Sequence, residues 1–232
     1  MRTMVFTCDP YYWLLPGFFH QWERYDNRPI EVVGFGMPTA AQRAGHPFVS
    51  LGEFKDYPKD RWSDALIDYL ESIDDDLVEF WLEDYWLIRQ TNVNLVYLVS
   101  QFMMANPQAF RFDLITDRLY APGVQDAGSM GPMDIVTAKG QYSLSYQASV
   151  FRRELLLEIL QPNESPWASE LEGTARLNAS PYGVYGSRQS PVRYSIVVNK
   201  GQFDREGAWM FPPRTLSARD WAELDRLGYT QR

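Results

Sequence analysis

The segment at residues 77–82 (LVEFWL) most restricts the fold, because five of its six side chains are apolar. A near-continuous apolar run of this length is typical of a strand that is buried on both faces of a parallel sheet. Glu83 and Asp84 follow it directly. The sequence therefore predicts an acidic pair at the carboxyl end of a buried strand.

Strands and helices are predicted to alternate through the first half of the chain. Pro10 ends the first strand just after Asp9, since proline cannot donate to a strand ladder. Apolar residues at helical spacing indicate the helices, and Ser and Thr are good N-caps. The predicted elements are strands at 3–8, 30–36 and 48–51 and helices at 18–25 after Pro16 and Gly17, after an N-cap at Ser63, and after an N-cap at Thr91.

The second half gives a less regular pattern. Its clearest helix is at 150–160 (VFRRELLLEIL), which is rich in helix formers and is followed by Pro162. Residues 163–190 are dominated by Ser, Gly, Pro, Asn and Tyr, which predicts mostly loop. The other predicted elements are strands at 110–116, 142–147 and 193–203 and a terminal helix capped by Ser217 that ends near Gly228.

Alternating strands and helices favour an α/β fold with a mostly parallel central sheet flanked by helices. No repeat or low-complexity linker divides the chain, so residues 1–232 are predicted to form a single domain. Ligands bind such sheets beyond the carboxyl ends of the strands. If the strands before Asp9 and before Glu83 are parallel, their acidic side chains share one edge.

Composition excludes several classes of protein. One Cys and two His leave too few ligands for a disulfide framework or a zinc site built from Cys and His. The net charge of −8 argues against a general electrostatic grip on nucleic acid. No apolar run reaches the roughly 20 residues of a membrane span, and no signal peptide precedes the first strand, so the expected location is the cytoplasm.

Aromatic residues make up 15% of the chain, which is unusually high. Some of these rings belong to the expected core. Others stand beside acidic residues that are candidates for a site, where an aromatic face could stack on a base or a sugar.

Three segments, in this order and at these separations, resemble the GT-A-fold glycosyltransferases of bacteria and their viruses. They are 5–25 (VFTCDPYYWLLPGFFHQWERY), 80–89 (FWLEDYWLIR) and 142–174 (YSLSYQASVFRRELLLEILQPNESPWASELEGT). The resemblance covers roughly residues 4–204. It implies a GT-A-like single domain that transfers a sugar from a nucleotide-sugar donor, with residues 1–100 mainly binding the nucleotide and residues 101–232 mainly binding the acceptor.

The resemblance implies a divalent cation, Mn²⁺ or Mg²⁺, at the acidic pair. Asp84 is the expected metal ligand and Glu83 a neighbour that contacts the donor, since a hard cation neutralises a departing diphosphate. Tyr85 stands where the family pattern has a second acid, which is a departure from that pattern. The alternative for both acids is a solvated loop after a buried strand.

The resemblance also implies a general base near the acceptor. Glu170 is the candidate, with Glu172 in reserve, and Trp167 lies shortly before them as a ring on which a sugar could stack. A separate base and the lack of an obvious nucleophile favour inversion at the anomeric carbon. The alternative is that Trp167 anchors a loop and both glutamates are exposed.

The remaining expected contacts are with the donor and the acceptor. Thr7, Asp9 and Tyr12 are expected to contact the base or ribose of a donor such as a UDP-sugar, and Lys200 its diphosphate. Gln147 is expected to hydrogen-bond a sugar hydroxyl.

The sequence leaves two alternative functions and two alternative acceptors. Asp84 and Glu170 could be the paired carboxylates of a glycoside hydrolase, or the rings could serve a carbohydrate-binding protein without enzymatic activity. The acceptor of a transferase is a glycan or a hydroxymethylated base in viral DNA, the latter served by a local basic cluster of Arg188, Arg193 and Lys200.

Overall fold

Strands and helices alternate through the computed structural model, which describes residues 1–199, 201–206 and 214–231. The strands are β1 (Arg2–Phe6), β2 (Glu31–Gly34), β3 (Phe48–Ser50), β4 (Leu77–Leu82), β5 (Tyr85–Leu87), β6 (Ala109–Asp113), β7 (Gln125–Met130), β8 (Met133–Thr137), β9 (Ser149–Arg152), β10 (Gly183–Ser187), β11 (Tyr194–Ile196), β12 (Val198–Asn199) and β13 (Gln202–Phe203). The α-helices are α1 (Leu15–Tyr25), α2 (Trp62–Glu71), α3 (Val93–Ala105), α4 (Arg153–Ile159), α5 (Pro166–Ala179) and α6 (Ala218–Arg226). Short 3₁₀ helices occur at Asp9–Leu14, Phe54–Asp56, Lys59–Arg61 and Thr116–Tyr120.

A nine-stranded sheet in the order β3-β2-β1-β4-β9-β6-β10-β8-β7 forms the centre of the domain. β3, β2, β1 and β4 are mutually parallel, and β6 pairs in parallel with β10. β9 runs antiparallel to both β4 and β6, and β8 runs antiparallel to both β10 and β7. All strands of this sheet except β8 and β9 therefore point the same way, which confirms the mostly parallel α/β sheet.

Each face of the sheet packs against helices through its own apolar core. One core combines side chains of α1, α3 and α6 with the sheet, and the other combines side chains of α2, α4 and α5. In β4, Leu77 and Trp81 belong to the first core, whereas Val78 and Phe80 belong to the second. This alternation is the two-residue period of a strand covered on both faces, as the run at 77–82 predicts. None of the helices in the described part of the chain has the length and apolarity needed to cross a bilayer.

Glu79 is the polar exception in this strand, and it is completely buried. The Arg28 guanidinium donates to both of its carboxylate oxygens, at 2.6 and 2.8 Å, and the indole N–H of Trp81 donates at 2.9 Å. A buried carboxylate is tolerated only when it is paired and hydrogen-bonded in this way.

The helix predicted at 150–160 is wrong in its first part. Residues Ser149–Arg152 form β9, which pairs with β4 and β6 in the middle of the sheet, and the helix begins only at Arg153. Val150 and Phe151 suit a strand, but the helix formers that follow directly conceal it in the sequence. The strand predicted at 142–147 does not form; these residues are a turn and an irregular segment leading into β9.

The loop predicted at 163–190 is also wrong, because it contains α5 and β10. The Ser165 hydroxyl caps α5 by accepting from the Ala168 N–H, and Pro166 occupies the first turn. Only Ser169, Gly173 and Leu177 of α5 are buried. These residues are four positions apart, as in a helix, but Ser169 and Gly173 are not large apolar residues. The sequence therefore shows no apolar periodicity that would indicate the helix.

Smaller corrections concern the ends of helices. Asn92 rather than Thr91 caps α3, and the Ser63 hydroxyl accepts from the Glu164 N–H instead of capping α2. α1 begins at Leu15, so Pro16 and Gly17 lie in its first turn rather than before it. The hairpin of β7 and β8 was not predicted. The cap at Ser217 is confirmed, since its hydroxyl accepts from the Asp220 N–H at the start of α6.

Gly17 lets α1 lie directly against β5, the strand that follows Glu83 and Asp84. A β-carbon at this position would collide with the ring of Trp86, which is itself completely buried. The Gln21 side chain, one turn further along α1, donates to the Leu87 carbonyl at 3.0 Å. The close approach of this helix therefore holds the acidic turn in place.

We expect Gly17→Ala to destabilise the protein by about 1–3 kcal/mol, because overpacking a rigid ring outweighs the roughly 1 kcal/mol of helix propensity gained by alanine. Urea unfolding followed by circular dichroism measures the change. In a Trp86→Leu background the same substitution is expected to be neutral or stabilising. Equal destabilisation in both backgrounds would show that the Trp86 ring is not the cause.

Candidate functional site

The carboxyl edge of the sheet gathers the acidic residues singled out in the sequence. Phe6, the last residue of β1, is the parallel partner of Leu82, the last residue of β4. Asp9 and the pair Glu83 and Asp84 therefore lie at the same edge, as expected from parallel strands. This is the edge at which sheets of this class bind ligands.

Glu83 and Asp84 form a tight turn between β4 and β5. The Trp86 indole donates to the Glu83 carbonyl at 3.0 Å, and the Val197 N–H donates to the Asp84 carbonyl at 2.9 Å. Both carbonyls are held by neighbouring elements, so the backbone from which the two carboxylates project is tied to the surrounding structure.

Both carboxylates of this turn are energetically unfavourable in their ionised form. Burial raises the pKa of Glu83 well above its usual value, and the adjacent Asp84 charge raises it further. The Thr7 hydroxyl lies beside the Glu83 carboxylate, outside hydrogen-bond geometry. Asp84 is half-buried, and desolvation raises its pKa to about 7. No cation among the described residues lies close enough to lower either pKa.

The acidic turn fits a divalent cation whose coordination shell is completed by a bound ligand and by water. The described residues contain no cluster of three or more metal-ligating side chains. Mg²⁺ and similar hard ions, however, use one or two carboxylates together with waters and substrate phosphates. Asp84 and Glu83 provide those carboxylates, and a cation beside them would relieve their mutual repulsion.

The segment after β1 is tied to the loop after β2. The exposed Asp9 carboxylate accepts from the Gly36 N–H at 3.0 Å, and a β-carbon on Gly36 would lie 2.7 Å from its second oxygen. The Tyr12 hydroxyl donates to the Gly36 carbonyl at 2.6 Å and accepts from the Phe35 N–H at 3.0 Å. The hydroxyl of Tyr12 is thus engaged within the protein, whereas Asp9 faces solvent at the edge.

Glu170 lies on α5 and is anchored to the segment before β9. Its carboxylate accepts from the Tyr146 N–H at 2.7 Å. Burial raises its pKa, while the hydrogen bond from the Tyr146 amide and the neighbouring Ser145 hydroxyl act in the opposite direction. The charges of Glu170 and of Asp84 both raise the pKa of the buried Tyr85 phenol, so both carboxylates lie in the region around this ring. The structure therefore brings α5 to the same site as the acidic turn.

The other candidate residues have different surroundings. Gln147 is half-buried and accepts from the Tyr194 hydroxyl at 3.4 Å. Trp167 is 62% exposed, three residues before Glu170 on α5. Glu172 is exposed, on a different side of α5 from the buried face. Lys200 lies outside the described residues.

A buried group of charges behind the site escaped the sequence analysis. The Asp113 carboxylate pairs with Arg111 at 2.7 Å and with Arg118 at 2.9 Å, and all three side chains are buried. Burial lowers the pKa of Arg111. The sequence contained a sign of this pair, since Arg111 and Asp113 alternate with phenylalanines in one strand and so point to the same face.

A second pair of contacts joins the C-terminal part of the chain to the site. Arg214 pairs with Asp117 at 3.2 Å, and its guanidinium lies 5.5 Å from the centre of the Tyr194 ring. Tyr194 in turn stacks on Tyr85, with the ring centres 4.6 Å apart. These residues are far apart in the sequence, and no local pattern relates them.

Comparisons with known proteins identify the fold. No protein-family model matches this sequence, and no curated protein matches it. Among solved structures, S. aureus TarS 1–349 in complex with UDP matches at 14% identity and a TM-score of 0.52, covering 98% of this chain and 64% of that chain. A cytidylyltransferase from Leptospira borgpetersenii matches at 10% identity and a TM-score of 0.49, covering 100% and 96%. Glucosyl-3-phosphoglycerate synthase from Mycobacterium tuberculosis, in complex with Mn²⁺, UDP-glucose and glycerol 3-phosphate, matches at 12% identity and a TM-score of 0.38, covering 67% and 58%.

The chain has a GT-A-like fold. The likeness to TarS, at this level of identity, establishes the fold and not the activity, and the chain spans about two thirds of that TarS fragment. The fold expected from the resemblance is confirmed, whereas the bacterial or viral type stays a prediction.

We expect Asp84→Asn to stabilise the protein at pH 8 in the presence of EDTA. A carboxyl whose folded pKa is raised destabilises the folded state once it ionises, and asparagine removes that charge. The gain should be roughly 1–2 kcal/mol, or at least about 2 °C in Tm, by differential scanning calorimetry. Asp74→Asn, at an exposed acid, is the control and should leave Tm unchanged. A loss of stability in Asp84→Asn would mean that the carboxylate is structural.

Proposed function

We propose that this protein is a glycosyltransferase that moves a sugar from a nucleotide-sugar donor to an acceptor hydroxyl. The observation that carries the proposal is the acidic turn at the ligand-binding edge of a GT-A-like fold, where Glu83 is buried, Asp84 is half-buried and no cation of the described residues compensates either carboxylate. Carboxylates held in an unfavourable ionised state are typical of functional sites, because a ligand there can supply the missing positive charge.

The donor is proposed to bind over the first half of the sheet, residues 1–100. Asp9 presents a carboxylate oxygen at the edge, and Thr7 lies beside Glu83. The complex of TarS with UDP supports a uridine nucleotide as the donor's leaving group. Tyr12 is proposed to act through Gly36, by holding the loop that faces the donor, and Lys200 to approach the diphosphate.

Asp84, with Glu83, would hold a Mn²⁺ or Mg²⁺ ion. Such an ion supplies positive charge to the diphosphate as it leaves. The chain's own contribution is a turn at the edge whose backbone is held by the Trp86 indole and the Val197 amide.

Glu170 is proposed to act as the general base of an inverting reaction. Its carboxylate takes the proton of the acceptor hydroxyl while that oxygen bonds to the anomeric carbon and the bond from this carbon to the diphosphate breaks. The Tyr146 amide orients the carboxylate, and burial raises its affinity for the proton. A base poised closer to neutral pH transfers protons more effectively than an ordinary glutamate.

A glycan is the proposed acceptor. The alternative acceptor, a base in viral DNA, requires local cations that can contact phosphate. In the described structure, however, Arg188 is already paired with Asp126 at 2.6 Å. Exposed Trp167 and half-buried Gln147 offer the ring face and the amide that suit sugar instead.

We expect UDP with Mn²⁺ to raise the Tm of the wild-type protein, since a ligand that binds only the folded state stabilises it by mass action. Asp84→Asn should lose most of this shift, whereas Asp74→Asn should retain it. Thermal-shift measurements with UDP, GDP and ADP, each with and without the metal, test this. If no nucleotide stabilised the protein, a glycoside hydrolase or a glycan-binding protein would replace the transferase.

We expect Glu170→Gln to reduce sugar transfer by about 10²–10⁴-fold while leaving UDP binding intact, which is the usual contribution of a general base. Release of UDP in the presence of acceptor measures transfer. Glu172→Gln is the matched variant on the same helix. If Glu172→Gln lost activity and Glu170→Gln retained it, Glu172 and not Glu170 would be the general base.

The pH dependence of kcat/KM should report the environment of Glu170. The base acts in its ionised form, and burial raises its pKa, so activity should fall with decreasing pH at values above the ordinary range of a glutamate. The neighbouring Ser145 hydroxyl lowers the pKa of Glu170, so Ser145→Ala should move this acidic fall in activity to higher pH. An acidic fall that stayed in place in Ser145→Ala would show that another group controls it.

A further inference from the structure

An exposed tryptophan lies on the surface that leads to Glu170. Trp167 is 62% exposed, although burial of a ring of this size would stabilise a protein by about 2–3 kcal/mol. It occupies α5 three residues before Glu170, so the two side chains project from adjacent positions on one side of the helix. Leu171, the next residue on this side, is 55% exposed.

A lysine covers one face of this ring. The Lys59 ammonium lies 4.3 Å from the centre of the Trp167 ring. Within the described residues, this ammonium forms no ion pair, since no acidic oxygen there lies within 4.0 Å of it. The site therefore combines an open aromatic face with a cation that forms no ion pair with a described carboxylate.

The segment that carries Lys59 continues to the anchor of Glu170. Lys59–Arg61 is a short 3₁₀ helix that leads directly into Trp62. The Trp62 ring packs edge-on against Tyr146, 4.6 Å between centres, and the Tyr146 amide donates to Glu170. Lys59 and Trp167 are thus connected to the candidate base twice, along α5 and through the contact of Trp62 with buried Tyr146.

We propose that Lys59 and Trp167 form an acceptor subsite for a sugar that carries an anionic group, a phosphate or a carboxylate. The inference rests on the proposed function, because it takes Glu170 as the base that meets the acceptor hydroxyl. The apolar face of the sugar ring packs on Trp167, and the anionic group lies beside the Lys59 ammonium. The subsite selects charged acceptors over neutral ones.

The test measures binding at Trp167 directly. Protein labelled with 5-fluorotryptophan is saturated with UDP and Mn²⁺, and the ¹⁹F resonance of Trp167 is assigned by its loss in Trp167→Phe. Glucose, glucose 6-phosphate and glucuronate are then titrated separately. The last two probes distinguish a phosphate from a carboxylate as the source of the charge, and inorganic phosphate tests the anion without a ring.

The charged sugars are expected to shift the Trp167 resonance with a Kd about two- to fivefold lower than that of glucose, the range expected of an exposed ion pair. This preference should vanish in Lys59→Met and shrink in 0.5 M NaCl, since salt screens exposed charges. Lys55→Met, at an exposed lysine nearby, should keep it. Inorganic phosphate alone should leave the resonance unchanged.

The inference would be overturned by equal binding of glucose and the charged sugars in the wild type, by no shift with any sugar while UDP is bound, or by a preference that persists without Lys59. Failure of the proposed function gives a different result, because UDP and Mn²⁺ would then fail to raise the Tm before any sugar is added. A preference that survived in Lys59→Met would assign the charge selection to another cation.

Discussion

The parallel pairing of β1 with β4 is the constraint on which the site depends. Its register places Phe6 beside Leu82, so the chain leaves both strands at the same edge and carries Asp9 and the acidic turn to one location. The two apolar cores fix this register, because a slip by one residue would exchange the side chains of β4 between the faces. After such a slip, Trp81 and Phe80 would each face the helices of the opposite core. Stability of the core and geometry of the site are therefore consequences of the same pairing.

Pairing with cations distinguishes the buried structural carboxylates of this protein from those of the proposed metal site. Glu79 is buried with Arg28 and a tryptophan N–H, and Asp113 is buried between two arginines. The carboxylates of the acidic turn are the contrast, since burial raises the pKa of each with no cation of the described residues to oppose it. A chain that pairs its other buried acids this carefully has retained two that destabilise the folded state, as expected where a ligand supplies the missing charge.

The sequence predicts the parts of this structure that depend on local pattern. The run at 77–82 matches β4 residue for residue, and the acidic turn after it needs only the end of that run. The helix that carries Glu170 could not be found in this way, because its buried face is built from Ser169 and Gly173 as well as Leu177. β9 was missed for a different reason. It has only four residues, which is too short for a clear strand pattern, and the helix formers of α4 follow it directly. Contacts such as Arg214 with Tyr194 are set by tertiary packing alone and leave no trace in local spacing.

Tyr85, which stands where the resemblance to glycosyltransferases leads one to expect a second acid, has a structural use here. It is buried in a stack on Tyr194, and the guanidinium of Arg214 lies over that second ring. An acid at this position would place a third carboxylate next to Glu83 and Asp84 and would lose the stack, so the core favours tyrosine. The turn is then left with two carboxylates, fewer than the six ligands that a hard cation prefers. In the proposed site, water and the donor diphosphate would supply the others, so by linkage the cation and the nucleotide would each bind more tightly when the other is present.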